Sequence, residues 1–332
     1  MSPEDRMTGV LLLNLGGPDS LAAVRPFLTN LFSDREIIRL GPSFMQKPLA
    51  YLISSLRHTK TEGYYRLIGG KSPILAITAA QAQALGEALN DPSRSDEGSR
   101  PFRVYVGMRY WHPLIEEVLS GIHKDGVRKL VVLGLYPHYS VATTGSSFSK
   151  LKRSITEFPI QWHGIESWYD NTLYIGALVE KIEKGLALFG DDGPAPHVLF
   201  SAHSLPKKFI EEGDPYVDQI KATVRKVAER IEITWDLSYQ SKSGPVEWLE
   251  PSTDRALEDL AKRGVRDLLV VPISFVSDHI ETLYEIDILY KGMAAALGIR
   301  LERAESLNVS PLFIAALKDI VLKGLEEAGW AE

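Results

Sequence analysis

The chain has 332 residues, 45% hydrophobic and 24% charged, with a formal net charge of −6, the composition of a folded globular chain with room for two domain cores. The acidic balance speaks against a nucleic-acid partner, which would call for a basic stripe. No cysteine occurs, which excludes disulfides, zinc–thiolate sites, thiol nucleophiles and cysteine-ligated iron–sulfur clusters, so any metal chemistry falls to His, Asp and Glu.

MSPEDRMTGV lacks the basic-then-apolar order of a targeting peptide. No apolar run reaches the roughly 18 residues that a membrane-spanning helix needs, so a cytoplasmic protein is expected. Gly9–Leu15 is a continuous apolar run, the mark of a parallel strand covered on both faces. It ends in Asn14-Leu15-Gly16-Gly17-Pro18, without the spacing of a dinucleotide-binding loop. The glycines suit close approach of a flat ligand to the backbone instead. A helix with Leu21, Val24, Leu28 and Leu31 on one face follows.

Pro48–Leu56 suits either a packed helix or an apolar surface dipped into a bilayer or a greasy ligand. Arg57, Lys60, Arg66 and Lys71 then interleave with Tyr64 and Tyr65, which fits an aromatic ligand bearing carboxylates or a solvated helix face. Ser72-Pro73 opens the next helix as N-cap and first position. Asp91–Arg100 reads as a polar loop, Phe102–Met108 as a strand, and Leu114–Ile122 as a helix. Leu130–Leu135 is a further strand, running into Tyr136-Pro137-His138-Tyr139-Ser140.

GVRKLVVL at 126–133 is echoed by GVRDLLVV at 264–271. Strands alternating with helices, once repeated, predict two similar α/β domains with ligands between them. The boundary is placed near 161–167, giving domains 1–163 and 164–332. In the second, Asn171–Leu188 is helical, and His197–Ala202 is a strand that delivers His203 at its carboxyl end, where open α/β sheets bind ligands. A helix through Val217–Ile231, strands at Ile233–Leu237 and Leu268–Phe275, and a last helix opened by Ser310-Pro311 complete the pattern.

The strand at 268–275 leads into SDHIETLYEID. On an α-helix Asp278, Glu281 and Glu285 share one face, with Asp278 placed to cap and Glu281 three residues on. A row of like charges destabilises a helix, yet it is what a cation path or proton relay needs. With His203 it makes a His/carboxylate site for a hard or borderline divalent ion.

Together LFSAHSLP with GDPY, SDHIETLYEID, LNLGGPDS, YYRLIGGKSPI, GMRYWHPL, YPHYSVATTGSS, YQSKSGPVEWLEPST and ESLNVSPLF resemble the ferrochelatases, which insert ferrous iron into a porphyrin in haem synthesis. The resemblance covers nearly the whole chain. It implies two Rossmann-like domains, each a parallel sheet flanked by helices, with a cleft between them: a first with a porphyrin-binding lip and a second carrying the metal and proton site. His203 and Glu281 would flank the metal and take pyrrole protons, with Asp278, His279, Glu285 and Asp287 extending a polar path behind them. Leu15 and Tyr65 would border the opposite face of the macrocycle. Arg57, Lys60 and Ser72 would meet propionates, and Arg109 and Tyr136 would stand in the cleft.

The implied substrates are porphyrin and ferrous iron, with no resident cofactor and a peripheral contact with the inner face of the membrane through 48–56. Some family members carry an iron–sulfur cluster, one ligand of it in the segment matching YSVATTGSS, where Val141 stands here. Family branches use protoporphyrin IX or coproporphyrin III. Some of the latter place an iron-ligating tyrosine near Leu15, which favours protoporphyrin for this chain. A coproporphyrin enzyme, a cobalt or nickel chelatase, and a non-catalytic tetrapyrrole carrier are the competing readings.

Overall fold

An unbroken apolar run needs cover on both faces, and β1 (Thr8–Asn14) has it: all seven residues are buried. The computed structural model describes residues 7–91, 101–190, 193–244 and 246–330. From residue 92 on, the polar loop predicted over 91–100 lies outside them, as does most of the stretch read for a targeting peptide. The chain divides into two units, Met1–Trp168 with Asn308–Glu332, and Tyr169–Leu307.

In the first unit β1 is followed by α1 (Val24–Ser33), α2 (Gln46–Leu67) and α3 (Ile74–Leu89), then β2 (Phe102–Met108), α4 (Ile115–Lys124) and β3 (Lys129–Gly134). A five-residue π-helical turn, Val141–Gly145, runs into α5 (Ser146–Ile155), and β4 (Gln161–Ile165) closes the sheet. The strand order is β2-β1-β3-β4, all parallel. Leu11, Leu13, Leu119, Ile122, Leu130, Val132, Phe148 and Leu151 form one buried cluster, each worth about 1.5–3 kcal/mol for leaving water.

Residues 161–165, predicted as a domain boundary, are thus a paired strand. The C-terminal helix (Pro311–Glu327), predicted in the second domain, also belongs to this unit. Gly324 lets it lie against β4, because a Cβ there would stand 2.7 Å from Ile165 Cδ1. Gln81 Nε2 donates to the Asn308 carbonyl at 2.8 Å.

Gly16 and Gly17 face the chain itself. Gly16 has φ +83°, and a Cβ there would meet the Trp111 backbone; the corresponding space at Gly17 is filled by Ser72 Oγ, 2.5 Å away. On α2 the stretch 48–56 is helical, but Tyr51, Leu52 and Leu56 point outward and, with Phe44, leave an exposed apolar row.

The second unit repeats the plan. α6 (Thr172–Leu186) is capped by the Asn171 side chain. It leads to β5 (His197–His203), α7 (Lys207–Glu211), α8 (Tyr216–Ala228), β6 (Trp235–Gln240), α9 (Thr253–Lys262) and β7 (Asp267–Pro272). A ten-residue π-helix, Glu281–Tyr290, continues as α10 (Lys291–Ala296), and β8 (Arg300–Arg303) ends the sheet, ordered β6-β5-β7-β8 and again parallel. Leu13 pairs with Gly134 as Ser201 pairs with Pro272. The next amides, Leu135 and Ile273, donate to Leu13 and Ser201 respectively. The repeat seen at 126–133 and 264–271 is therefore a repeat of register.

One buried ionic network fastens the first unit's loops. Asp34, with a side chain 6% exposed, pairs with Arg109 at 2.6 Å. Its Oδ2 also accepts from Tyr110 Oη at 2.7 Å and Ser146 Oγ at 2.5 Å. Burial alone would raise the Asp34 pKa, but the bonds from Ser146 and Tyr110 and the charge of Arg109 outweigh it and hold the carboxyl below its ordinary value. Asp34→Ala leaves the Arg109 charge stranded and should cost about 3–5 kcal/mol in urea unfolding at neutral pH. A depressed folded pKa confers stability that is present above the ordinary value of 3.8 and lost as pH falls through the folded one. The difference between parent and Asp34→Ala should accordingly narrow as the solution is acidified below about pH 4.

Candidate functional site

In the second unit the chain leaves β5 toward β6 on one side and leaves β7 toward β8 on the other. The divergence opens a crevice at the carboxyl ends of β5 and β7, the switch point at which parallel sheets bind ligands. His203 is the last residue of β5. Its backbone is held on both sides: the amide donates to Ser274 Oγ at 2.9 Å, and Tyr216 Oη donates to its carbonyl at 3.0 Å. The loop after it is braced by residues 246–251 through Lys207 N to the Glu247 carbonyl (2.9 Å) and Leu249 N to the Leu205 carbonyl (3.0 Å).

The acidic segment departs from the predicted α-helix. Glu281–Tyr290 is π-helical, a wider and rarer winding that recurs at functional sites. Asp278 does not cap it; its Oδ1 accepts from Thr282 Oγ1 (3.1 Å), Arg303 Nη1 (3.0 Å) and Ser306 Oγ (2.8 Å). Glu281 and Glu285 are left to face β5 and β6.

There His203 Nδ1 meets Glu281 Oε2 at 2.7 Å. Ser241 Oγ reaches Glu281 Oε2 at 2.8 Å and Glu285 Oε2 at 2.5 Å. Gln240 Nε2 donates to Glu285 Oε2 at 3.0 Å and to the Glu281 carbonyl at 3.1 Å. His279 lies behind, its Nε2 3.8 Å from Glu281 Oε1 and its ring 4.4 Å from that of Phe275.

Burial would lower the His203 pKa, but the charge and hydrogen bond of Glu281, with Glu285 behind, raise it. Burial would raise Glu281, and His203 then His279 hold it well below the carboxylate range. Glu285 feels the His203 charge only from behind Glu281, too weakly to offset its burial. Burial and the Glu281 charge push it up to about 7, against the hydrogen bonds from Ser241 and Gln240.

The result is a chain His203–Glu281–Ser241–Glu285 with one group titrating near neutrality. Ser241 has a single proton for two carboxyls. When Glu285 is protonated its bond to Ser241 reverses, and Ser241 is free to donate to Glu281. Among the described residues no cluster of three or more His, Asp or Glu forms a preassembled metal cage.

Asp287, predicted on the polar path, is clasped by Arg303 through Nε to Oδ1 (2.8 Å) and Nη2 to Oδ2 (2.9 Å). The remaining predicted residues lie in the first unit. Arg57 and Lys60 are exposed on α2, Leu15, Arg109 and Tyr136 are partly buried, and Tyr65 and Ser72 are buried. Arg109 is engaged by Asp34. Ser72 is a cap of sorts, its Oγ accepting from Ile74 N at 3.4 Å, with the helix starting one residue beyond Pro73. A cavity of about 530 Å³ between α1 and α2, lined by Arg25, Asn30, Tyr51, His58 and Glu62, contains none of them. Sequence reasoning misses Gln240, Ser241 and Arg303. The YQS run at the end of a predicted strand is the one signal that could have flagged the first two.

The ferrochelatase family model matches residues 7–325. A ferrochelatase from Geotalea uraniireducens is 52% identical over 322 residues, 95% of this chain and 97% of that protein. One from Synechococcus elongatus is 50% identical over 327 residues, 96% of this chain and 83% of that protein. Among solved structures, SirB from Bacillus subtilis with Fe3+ superposes with a TM-score of 0.58 at 11% identity, covering 98% of both chains. A cobalt complex of the sirohydrochlorin chelatase SirB from Bacillus subtilis subspecies spizizenii gives 0.56 at 12%, covering 97% of both. At that identity the likeness is one of fold.

A carboxyl whose folded pKa is raised from 4.5 to about 7 confers stability that is whole below the lower value and lost as pH rises through the upper one. Glu285→Gln removes that loss. The variant should match the parent near pH 4 and exceed it near pH 8 by roughly 3 kcal/mol in denaturant unfolding.

Proposed function

The chain belongs to the ferrochelatase family, and from that premise we propose that it inserts ferrous iron into protoporphyrin IX at the His203–Glu281 pair, releasing two protons. The observation that carries the reading is the 2.7 Å contact between these side chains at the switch point of the second sheet.

Metal insertion exchanges two pyrrole protons for one dication. Neutral His203, its Nδ1–H donated to Glu281, presents Nε2 as the base. Taking a pyrrole proton makes an imidazolium that Glu281 stabilises in place. The imidazolium passes its Nδ1 proton to Glu281 and, through Ser241, to Glu285, which can hold or release it near neutral pH; the ring, now carrying its proton on Nε2, gives that proton to solvent and regains one at Nδ1 before it takes the second. The carboxylates offer oxygen donors to the arriving iron, and the imidazole a borderline nitrogen. Asp278, His279 and Asp287 complete the polar surroundings of that path.

In the same reading the exposed cations Arg57 and Lys60 meet the porphyrin carboxylates with Ser72. Leu15 and Tyr136, both partly buried, border the macrocycle, buried Tyr65 supports that border from within, and Arg109, anchored on Asp34, orders it. Leucine at position 15 supports protoporphyrin, since it offers iron no ligand. The exposed row Phe44, Leu52 and Leu56 supports a peripheral membrane contact.

Given ferrous iron and protoporphyrin, the protein should develop metalloporphyrin absorbance. His203→Ala and Glu281→Gln should each slow it roughly 10²–10⁴-fold with unchanged far-ultraviolet dichroism. Parental rates in both variants would remove the assigned roles. Parallel assays with coproporphyrin III, cobalt and nickel fix the substrate pair; turnover of coproporphyrin alone would replace the protoporphyrin reading.

A further inference from the structure

We propose that Arg303 is a positioning residue for metal insertion: from β8 it braces the π-helix and thereby sets where Glu281 and Glu285 stand. The proposal rests on the reading of His203 and Glu281 given above and adds a side chain that touches neither.

Arg303 has a side chain 11% exposed and holds two carboxylates nine positions apart. Asp278, just before the π-helix, receives one bond, and Asp287, within it, receives the paired bonds of a fork. Glu281 and Glu285 lie between these anchors. A π-winding is strained relative to an α-helix of the same sequence, and a planar guanidinium fixed at both ends opposes its relaxation.

The first unit supplies an internal control. Gly164 pairs with Val132 as Arg303 pairs with Val270, so the repeat puts Gly164 at the position of Arg303, and Ser140 and Ser149 at those of Asp278 and Asp287. A Cβ on Gly164 would already stand 2.7 Å from Phe148 Cε2, leaving no room for a brace. The same sheet forms there without it, but the π-winding lasts five residues instead of ten and bears no carboxylate. The brace therefore accompanies the long acidic π-helix, and the sheet plan itself does not call for it.

The test compares Arg303→Gln and Arg303→Lys with the parent in amide hydrogen exchange and in steady-state insertion of iron. Exchange over 281–290 should quicken roughly tenfold in Arg303→Gln while the amides of β5 and β7 keep their protection. The kcat should fall roughly 10–100-fold with KM for porphyrin unchanged, and Arg303→Lys, a point charge without the fork, should fall between. In a Glu281→Gln background the same substitution should cost less than about threefold, because Glu285 can receive protons only through Glu281 and its displacement no longer matters once Glu281 is gone. Unchanged exchange over 281–290, protection lost across both sheets, or a full rate loss added to that of Glu281→Gln would each overturn the brace. A parent without chelatase activity would defeat the functional reading while leaving the exchange result to decide the brace.

Discussion

The bond between His203 and Glu281 is what the second unit's buried polar cluster depends on. Neither group tolerates its surroundings alone: burial drives an imidazole toward the neutral form and a carboxyl toward the acid. Paired at 2.7 Å each reverses the other's shift. Removing one partner leaves a half-buried charge, a far larger penalty than the net worth of the pair. The contact spans 78 residues of sequence and exists because β5 and β7 are neighbours in register, so the sheet has to be complete before the site can exist. Glu285 follows from it. With Glu281 held ionised, the next carboxyl on the helix is the one that must carry a proton.

The two units have one topology and one register, and differ in what occupies equivalent places. Counting along the repeat, Leu15 stands where His203 does, Thr143 and Ser147 where Glu281 and Glu285 do. Arg109 and Tyr110 stand at the positions of Gln240 and Ser241. In the first unit those last two close an internal network on Asp34; in the second they open hydrogen-bond donors onto two glutamates. The scaffold supplies a crevice at the ends of its central strands in either case. Side chains alone decide whether it is lined by an ion pair closed on itself or by two glutamates facing an imidazole.

Much of this is legible in the sequence, and the limits have physical causes. Central strands bury both faces and so advertise themselves as apolar runs: Phe102–Met108 is predicted with its observed ends, and β5 extends the expected run by one residue to include His203. The edge strands do not. QWHGI of β4 and RLER of β8 are short, half-exposed and partly polar, and β4 reads as a linker for that reason. The apolar stripe of the C-terminal helix says that it packs, but not on which sheet. The acidic helix shows a deeper limit. Its spacing is compatible with an α-helix and even with a capping box, and the π-winding becomes intelligible only with Arg303, 16 residues beyond Asp287 and paired to it across the unit. Gln240 and Ser241 are similarly silent, being neutral residues whose importance lies in which carboxyls they reach.

A site for a transient metal has to solve a problem that a resident site does not, since ligands that bind iron too well would keep it. Here the strongest donors are already spent on each other. On the proposed chemistry a dication approaching Glu281 competes with the His203 Nδ1–H for the same oxygen, so its arrival favours the less protonated state of the pair, as metal binding to any protonated ligand set does. The coupling runs both ways: imidazole that has just taken a pyrrole proton strengthens its hold on Glu281 and weakens the carboxylate's grip on the metal at the moment the macrocycle can accept it. An oxygen-rich donor set without thiolate suits that exchange, because hard ligands hold a borderline ion less tenaciously than sulfur would. On the same proposal the raised pKa of Glu285 gives the displaced proton a place to rest within three hydrogen bonds of His203.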